Sequence, residues 1–317
     1  MSEQGNDASR TNFRAFLSDR LVWVILLALV IFAFIASPTF RKPMNLSNVL
    51  RQSVGLGIAS LGQTFVILSG GIDLSIGSII SLLITMIAGI FTNNPDIPMI
   101  YIILLMLGIG LAAGVLNSFI IIKLNVTPFI ATLGTMSIFQ GIVLFYSKIP
   151  LGGVPKRFRF IADGYLSVIP FSIILFIILI VCCYYVLNRH RIGRHIYAVG
   201  SSQYVARLSG IHVDRIKFFS YTVCAGLAAV ASIYLGARLG GGGPRIGTGY
   251  ELDSITAIVI GGVSLTGGVG SVVGGFGGVL ILSVFNNIMN LLGVNPFYRI
   301  VLKGVMLILA VSFYKRK

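Results

Sequence analysis

The chain has 317 residues, of which 56% are hydrophobic and only 10% are charged, whereas soluble domains carry about 25% charged residues. This composition excludes a water-soluble globular protein and a disordered chain, and three cysteines are too few for a disulfide scaffold. It favours an all-α, polytopic transmembrane helix bundle, because the apolar segments show no strand-like alternation.

The net charge of +15 does not indicate a nucleic-acid partner. The basic residues are scattered between apolar runs, with no basic stripe interleaved with aromatic residues. Basic loops beside membrane spans give the same charge. We therefore expect this chain to contact membrane lipid and no nucleic acid.

The chain begins with a polar segment, residues 1–20, which we interpret as a cytoplasmic tail before a single transmembrane domain over 21–317. The first apolar run, Leu21 to Ala36, resembles a signal peptide. Cleavage after Ala36 would place Phe34 at the −3 position, where a small residue is required, so we predict a retained span. Further predicted spans cover 52–69, 74–92, 99–122, 127–146, 167–187, 218–236, 251–266, 271–292 and 297–314. This gives about ten spans, or eight or nine if some of the short, glycine-broken segments do not cross.

Lys and Arg predict the orientation of these spans. They are more frequent in the loops that lie inside when both termini are cytoplasmic, chiefly in the loop 188–217. The same orientation places the loop 147–166 outside the cell.

Small residues recur every fourth position in the third and ninth predicted spans. Gly77, Ser81, Thr85 and Gly89 lie on one helical face and predict close packing of backbones. The same spacing is found at Gly270, Gly274 and Gly278, and at Gly110 and Gly114. Two sequence echoes, 70–81 with 261–274 and 125–130 with 293–298, suggest an internal repeat. Their offsets differ, so the repeat is not clean.

Polar residues at membrane depth need a structural or functional reason. Asp73, Glu251 and Asp253 each stand where an apolar helix begins, which favours helix capping; ion or proton coupling is the alternative. Amides at Asn117, Asn286, Asn287, Asn290 and Gln140 suit either the hydroxyl groups of a neutral solute or hydrogen bonds between helices.

No catalytic constellation is found in the sequence. It contains no GxxxxGK[ST] phosphate loop, and its three histidines all lie in the basic loop 188–217. We expect no enzymatic activity, no metal site and no cofactor in this chain, so any ATP hydrolysis must come from another chain.

The loop 188–217 predicts a short helix over 203–209. Ser201 or Ser202 can cap its start, and Gly210 can end it. Val205 and Leu208 give the helix an apolar side that could dock in the groove of a partner. A plain basic segment at the membrane interface is the alternative.

Four motifs together resemble one protein family. They are LSGGIDLSIGS at 68–78, GRHIYAVGSSQYVARLSGI at 193–211, GTGYELDSITAIVIGG at 247–262 and NNIMNLLGV at 286–294. The family is the permease subunit of bacterial ATP-binding-cassette (ABC) importers for ribose and related monosaccharides. The resemblance extends from about residue 20 to the end of the chain.

The resemblance implies a permease of the inner membrane that translocates a ribose-like monosaccharide by alternating access. It implies a second permease copy or a paralogue, cytoplasmic ATPase subunits that bind ATP and Mg²⁺, and a periplasmic sugar-binding protein. The helix that couples to the ATPase would comprise Val205, Ala206, Arg207, Leu208, Ser209 and Gly210. The candidate translocation path comprises Asp73, Asn117, Asn286, Asn287 and Asn290.

The loop 147–166 has no close match to the family and is expected to face the binding protein. An ion- or proton-coupled secondary sugar carrier, with Asp73 and Glu251 titrating, is the alternative function.

Overall fold

The computed structural model describes residues 21–314; the predicted tail 1–20 and residues 315–317 lie outside the described residues. The described chain is mainly helical, with two strands of two residues each, which confirms the all-α prediction. Its elements are α1 (Leu21–Ala36), α2 (Pro43–Leu68), α3 (Ile76–Asn93), α4 (Met99–Ile122), α5 (Pro128–Tyr146), α6 (Lys156–Asp163), β1 (Tyr165–Leu166), β2 (Ile169–Pro170), α7 (Phe171–Asn188), α8 (Arg191–Ser201), α9 (Gln203–Leu208), α10 (Val213–Leu239), α11 (Tyr250–Ile260), α12 (Val272–Leu291) and α13 (Pro296–Tyr314). The two strands form one antiparallel hairpin, with Tyr165 opposite Pro170.

Six of the described helices are long and apolar enough to cross a membrane: α3, α4, α5, α7, α10 and α12. Helix α11 is different, because its 11 residues span only about 16 Å against a hydrocarbon core of about 30 Å. The predicted span 251–266 therefore contains a short helix that cannot cross a membrane alone. Many large apolar side chains of the outer helices are exposed, among them Leu104, Phe119 and Ile177, as lipid contact requires.

Helix α10 lies at the centre of the bundle and packs against α2, α3 and α4. Gly62 of α2 faces the backbone of Cys224, and Gly114 of α4 faces the backbone of Thr222, 2.7 Å from where a Cβ would lie. The small residues thus allow the close helix approach that their spacing predicts.

The small-residue stripe on α3 packs against a turn-rich, non-helical segment, residues 240–249, as well as against helices. Ser81 Oγ accepts a hydrogen bond from the backbone N–H of Gly247 at 2.9 Å, and Gly242 lies against Thr85. Gly89 faces Tyr146 of α5. The stripe was predicted as a packing face, and the turn-rich segment 240–249 is its unexpected partner.

The bundle contains two similar sets of four helices, α2–α5 and α10–α13, called here its two halves; α1 and α7 belong to neither. In each half a long helix is followed by a non-helical segment and then by α3 or α11, which packs against the last helix of its half. Helices α2 and α10 are antiparallel, since Gly55 lies near Leu235 and Gly62 near Cys224. The halves are therefore inverted relative to each other, an arrangement common in transporters.

Only one of the two sequence echoes follows this repeat. Residues 125–130 and 293–298 lead into the equivalent helices α5 and α13. Residues 70–81 precede and begin α3, whereas 261–274 follow α11, so that pairing does not reflect structural equivalence.

The two ends of the bundle carry different elements. One end, called here the α9 end, holds α8, α9 and the turns at Gly70 and Gly267. The other, called the hairpin end, holds α6 and the strands β1 and β2. Helix α8 was not predicted; its first turn is capped by His190, whose Nδ1 accepts from the N–H of Ile192 at 3.3 Å.

Candidate functional site

The first turns of α3 and α11 lie side by side inside the bundle. The segment 69–75 enters from the α9 end and is held by Tyr221 and Thr132, whose hydroxyl groups donate to the carbonyl of Ile72 at 3.4 and 3.3 Å. The segment 240–249 enters from the hairpin end. The two helices meet where Glu251 packs directly on Gly77, so closely that a Cβ at Gly77 would overlap the carboxylate.

A pocket of about 450 Å³ opens beside this junction. Helix α5 forms one wall, and the starts of α3 and α11 form the other. Its polar lining consists of Ser78, Ser137, Gln140, Thr248 and Glu251, and Met136, Gly141 and Leu144 complete it.

Glu251 caps the start of α11 with one of its two carboxylate oxygens. Its Oε1 accepts from the backbone N–H of Gly249 at 3.1 Å, as the capping interpretation predicts. Within the described residues, Oε2 accepts no hydrogen bond and no cationic side chain lies within ion-pair distance of it. Glu251 is therefore a partly buried carboxylate with a free acceptor at the edge of the pocket.

Asp73 is fully buried in a closed cluster with Ser75 and Asn117. Its Oδ1 accepts from the N–H of Ser75 at 2.8 Å and from the Ser75 hydroxyl at 2.6 Å. The same hydroxyl accepts from Asn117 Nδ2 at 2.8 Å. The residue at the helix N-cap is Ser75 rather than Asp73, so Asp73 acts two residues earlier by satisfying the N–H of the cap residue.

The other path candidates lie elsewhere. Asn287 exchanges two side-chain hydrogen bonds with Asn45, at 3.0 and 3.1 Å, and so joins α12 to α2. Asn286 is half-buried and Asn290 is exposed on the same helix. The structure thus brings Asp73 and Asn117 together but keeps them apart from the three asparagines of α12.

Asp253 forms an ion pair instead of a helix cap. Its Oδ2 lies 2.7 Å from Lys303 Nζ of α13, and both side chains are partly exposed. The pair ties α11 to the last helix of its half. No group of three or more His, Cys, Asp or Glu side chains within residues 21–314 could hold a metal ion.

Helix α9 has the predicted start and end. Ser202 Oγ accepts from the N–H of Val205 at 3.3 Å, and Gly210 has a φ of +78°, a left-handed conformation that ends the helix. Ala206 is buried, whereas Tyr204, Val205 and Leu208 are 73%, 57% and 71% exposed. Arg207 is exposed near Asp214, 3.7 Å away. The helix therefore presents an apolar surface that no residue within 21–314 covers.

Sequence reasoning did not identify Ser78, Ser137 and Thr248 as pocket residues, and weighed Gln140 and Glu251 without including them in the path. The signal lay in the glycine-rich stretch before α11. If this stretch is interpreted as a helix break inside the membrane, Thr248 and Glu251 are predicted to lie at the start of a helix that faces the interior of the bundle.

The chain matches the model of a family described as branched-chain amino acid transport system / permease component over residues 45–311. It is 41% identical over 295 residues to the ribose import permease protein RbsC of Bacillus subtilis strain 168, covering 92% of this chain and 91% of the relative. It is 36% identical to RbsC of Escherichia coli K12 over the full length of both.

The galactose/methyl galactoside import permease protein MglC of Escherichia coli K12 is 35% identical over 98% of each chain. No solved structure matches the chain. The chain therefore belongs to this family of permease components and is an integral, multi-pass membrane transport protein.

Proposed function

We propose that this chain is the permease subunit of an ABC importer and moves a ribose-like monosaccharide across the bacterial inner membrane. The observation that carries the proposal is its whole-length similarity to ribose import permeases, 41% identical in one case. Similarity to galactose import permeases supports the wider class of monosaccharides. The chain itself catalyses no covalent step.

The cytoplasmic side is, in this proposal, the α9 end. Basic residues are concentrated in the loop 188–217 at that end, as the positive-inside rule requires. Ten segments would then cross the membrane, with both termini in the cytoplasm; one of them is the short α11 together with the non-helical segment 240–249. The hairpin end, with α6 and the loop 147–166, would receive a periplasmic sugar-binding protein.

The coupling contact to the ATPase would be helix α9. Val205 and Leu208 would enter a groove of the ATPase, with Arg207 at the edge of that groove. Ala206 is buried and holds the helix against the bundle. Ser209, which donates its hydroxyl to the carbonyl of Val205, and Gly210 with its positive φ form the end of the helix. ATP and Mg²⁺ would bind the ATPase subunits and not this chain, which as proposed carries no cofactor. Burial of a side chain such as Leu208 contributes about 1.5–3 kcal/mol to such a contact.

Helices α3 and α11 each begin inside the bundle after a non-helical segment and are called here the broken helices. Movement of α9 can reach both of them through a cluster of glycines. Gly200, near the end of α8, packs so tightly on the carbonyl of Leu68 and on Gly268 that a Cβ would overlap them. Gly268 donates its N–H to that carbonyl at 3.0 Å. A shift of α8 and α9 would therefore move the segment before α3 and the segment after α11 together, which is what alternating access requires.

A second permease copy, identical or a paralogue, would complete the translocation path. The pocket opens beside the exposed face of α5, where Gly134, Ser137 and Gly141 leave a shallow surface for close approach. The remaining outer helices would contact lipid.

The test is uptake of labelled sugars by proteoliposomes that contain the permease, its ATPase and its binding protein. Uptake should require ATP and both partners, and should continue in the presence of a protonophore. Loss of uptake on collapse of the ion gradient at constant ATP would overturn the proposal in favour of an ion-coupled carrier.

A further inference from the structure

Three polar side chains at the junction of the broken helices have hydrogen-bonding capacity that the described chain does not use. Glu251 Oε2 accepts from no donor, and Thr248 forms no side-chain hydrogen bond. Gln140 donates its Nε2 to the carbonyl of Pro244 at 3.0 Å, which fixes the amide and leaves its Oε1 free. All three line the same pocket.

We propose that Glu251, Gln140 and Thr248 contact the hydroxyl groups of the sugar partway through the membrane. The inference rests on the proposed function, because it names the permease residues that recognise the solute. It is distinct from the path first expected from the sequence, since Asp73 and Asn117 lie in a closed cluster and Asn287 is engaged with Asn45.

The chemistry of the pocket suits a small neutral polyol. A carboxylate and an amide oxygen accept hydrogen bonds from hydroxyl groups, and the Thr248 hydroxyl both donates and accepts. Met136 and Leu144 offer an apolar wall to the carbon face of the ring. The volume of about 450 Å³ lies within the range of small-molecule pockets.

The position of Glu251 favours ligand contact over a purely structural role. Charged side chains inside membrane proteins are costly and are usually paired. Asp253, two residues further along the same helix, follows that rule through Lys303. Glu251 has no such partner in the described chain; the helix starts of α3 and α11 supply partial positive charge around it instead. One of its oxygens remains available as a result.

The pocket also lies where a conformational change would alter it. It is built from both broken helices, and the segments leading into α3 and out of α11 meet at Gly70, Gly200 and Gly267 below α9. A ligand held by groups from both halves would be released when the halves move apart. The contact would thus be transient, as transport requires.

The experiment compares Glu251→Gln with the matched variant Asp253→Asn in proteoliposomes containing the ATPase and the binding protein. Uptake is measured for D-ribose and for analogues that each lack one hydroxyl group. A hydrogen bond between a hydroxyl and a charged group accounts for about a tenfold or greater effect. We expect Glu251→Gln to lower ribose uptake by about that factor and to lose discrimination against one deoxy analogue.

Two further readouts separate contact from structural damage. Folded yield should be unchanged in Glu251→Gln, because the amide oxygen can still accept the hydrogen bond from the N–H of Gly249. Asp253→Asn should keep the full sugar discrimination of the unmodified protein. Thr248→Val and Gln140→Leu should each change the response to a different hydroxyl group.

The proposal is overturned if discrimination among the analogues is unchanged in all three pocket variants, or if they reduce uptake of every analogue equally. If Glu251→Gln fails to fold, Thr248→Val and Gln140→Leu decide the question. Failure of the unmodified protein to transport any sugar with ATP would instead defeat the proposed function.

Discussion

Asp73 lies just before α3 and Glu251 lies in the first turn of α11, but the two carboxylates have different surroundings. Asp73 is fully buried, and its Oδ1 accepts hydrogen bonds from the N–H and the hydroxyl group of Ser75. Glu251 accepts a hydrogen bond from Gly249 with one oxygen, and its other oxygen lies against Gly77 at the edge of the pocket. Both carboxylates thus stabilise a helix start, and at Glu251 one oxygen is left without a hydrogen bond among the described residues.

We predict that Asp73 is structural. Asp73→Asn keeps an oxygen that can accept from Ser75, so folded yield and uptake should remain near those of the unmodified protein. Asp73→Leu removes that acceptor and leaves a buried N–H unpaired, which costs about 1–3 kcal/mol. Thermal unfolding of the purified protein should occur at a lower temperature in Asp73→Leu.

The control is Asp96→Leu, since Asp96 is exposed at the hairpin end and its replacement should leave stability unchanged. A folded Asp73→Asn protein without uptake would show that ionisation of Asp73 takes part in transport. That outcome would restore the ion-coupled alternative.

Gly77 is predicted to be irreplaceable for reasons of space. A Cβ there would overlap the Glu251 carboxylate and lie 2.6 Å from the carbonyl of Gly247. Gly77→Ala should therefore push α11 and its entry segment away from α3, lowering both thermal stability and uptake. Gly108→Ala is the control, because nothing lies within 4 Å of a Cβ at that position. If Gly77→Ala and Gly108→Ala have the same melting temperature and the same sugar uptake, the prediction that Gly77 is needed for close packing is wrong.

At the scale of elements, α9 was the easiest feature to predict because its signals are local. A serine cap, two apolar positions and a terminal glycine fix a short helix without reference to the rest of the chain. Val205 and Leu208 point outward because the buried Ala206 turns the opposite side of the helix toward the bundle. Their exposure is a property of the bundle and could not be read from the loop alone.

Coupling through α9 predicts a specific loss of partner binding. Leu208→Asp should leave the permease folded, because Leu208 is 71% exposed, and should prevent co-purification with the ATPase. The matched control is Leu166→Asp at the hairpin end, a similarly exposed leucine that should not affect ATPase binding. Normal binding and stimulation of the ATPase by Leu208→Asp would exclude α9 as the coupling element.

The long helices were predictable and the breaks between them were not. Apolar runs locate α4, α5 and α7 within a few residues. Segment 240–249 and helix α11 appear in the sequence as a glycine-rich loop and the short predicted span 251–266. Hydropathy does not distinguish a loop in water from a non-helical segment packed against Ser81 and Gly77. The pocket depends on that packing, so its residues could not be grouped from sequence.

On the scale of the whole molecule, the inverted halves are joined at the α9 end by backbone contacts. Gly200 lies between the end of α2 and the turn at Gly267 and Gly268. Both glycines of that turn have positive φ, as does Gly70. Side chains are thereby kept out of the junction, and the backbones of three segments can move as one unit.

The last prediction follows from this junction. A methyl group at Gly200 would overlap the Leu68 carbonyl and lie 2.5 Å from the Gly268 nitrogen, so Gly200→Ala should force α8 away from both segments. Helix α9 remains intact, because its cap at Ser202 and its exit at Gly210 are separate. The variant should therefore still bind the ATPase, while sugar uptake per ATP hydrolysed falls sharply. Gly304→Ala, with nothing within 4 Å, is the control for a lipid-exposed helix glycine. If Gly200→Ala transports with the normal ratio of sugar to ATP, motion of α9 reaches the broken helices by another route, such as the contact of α10 with α2 and α3.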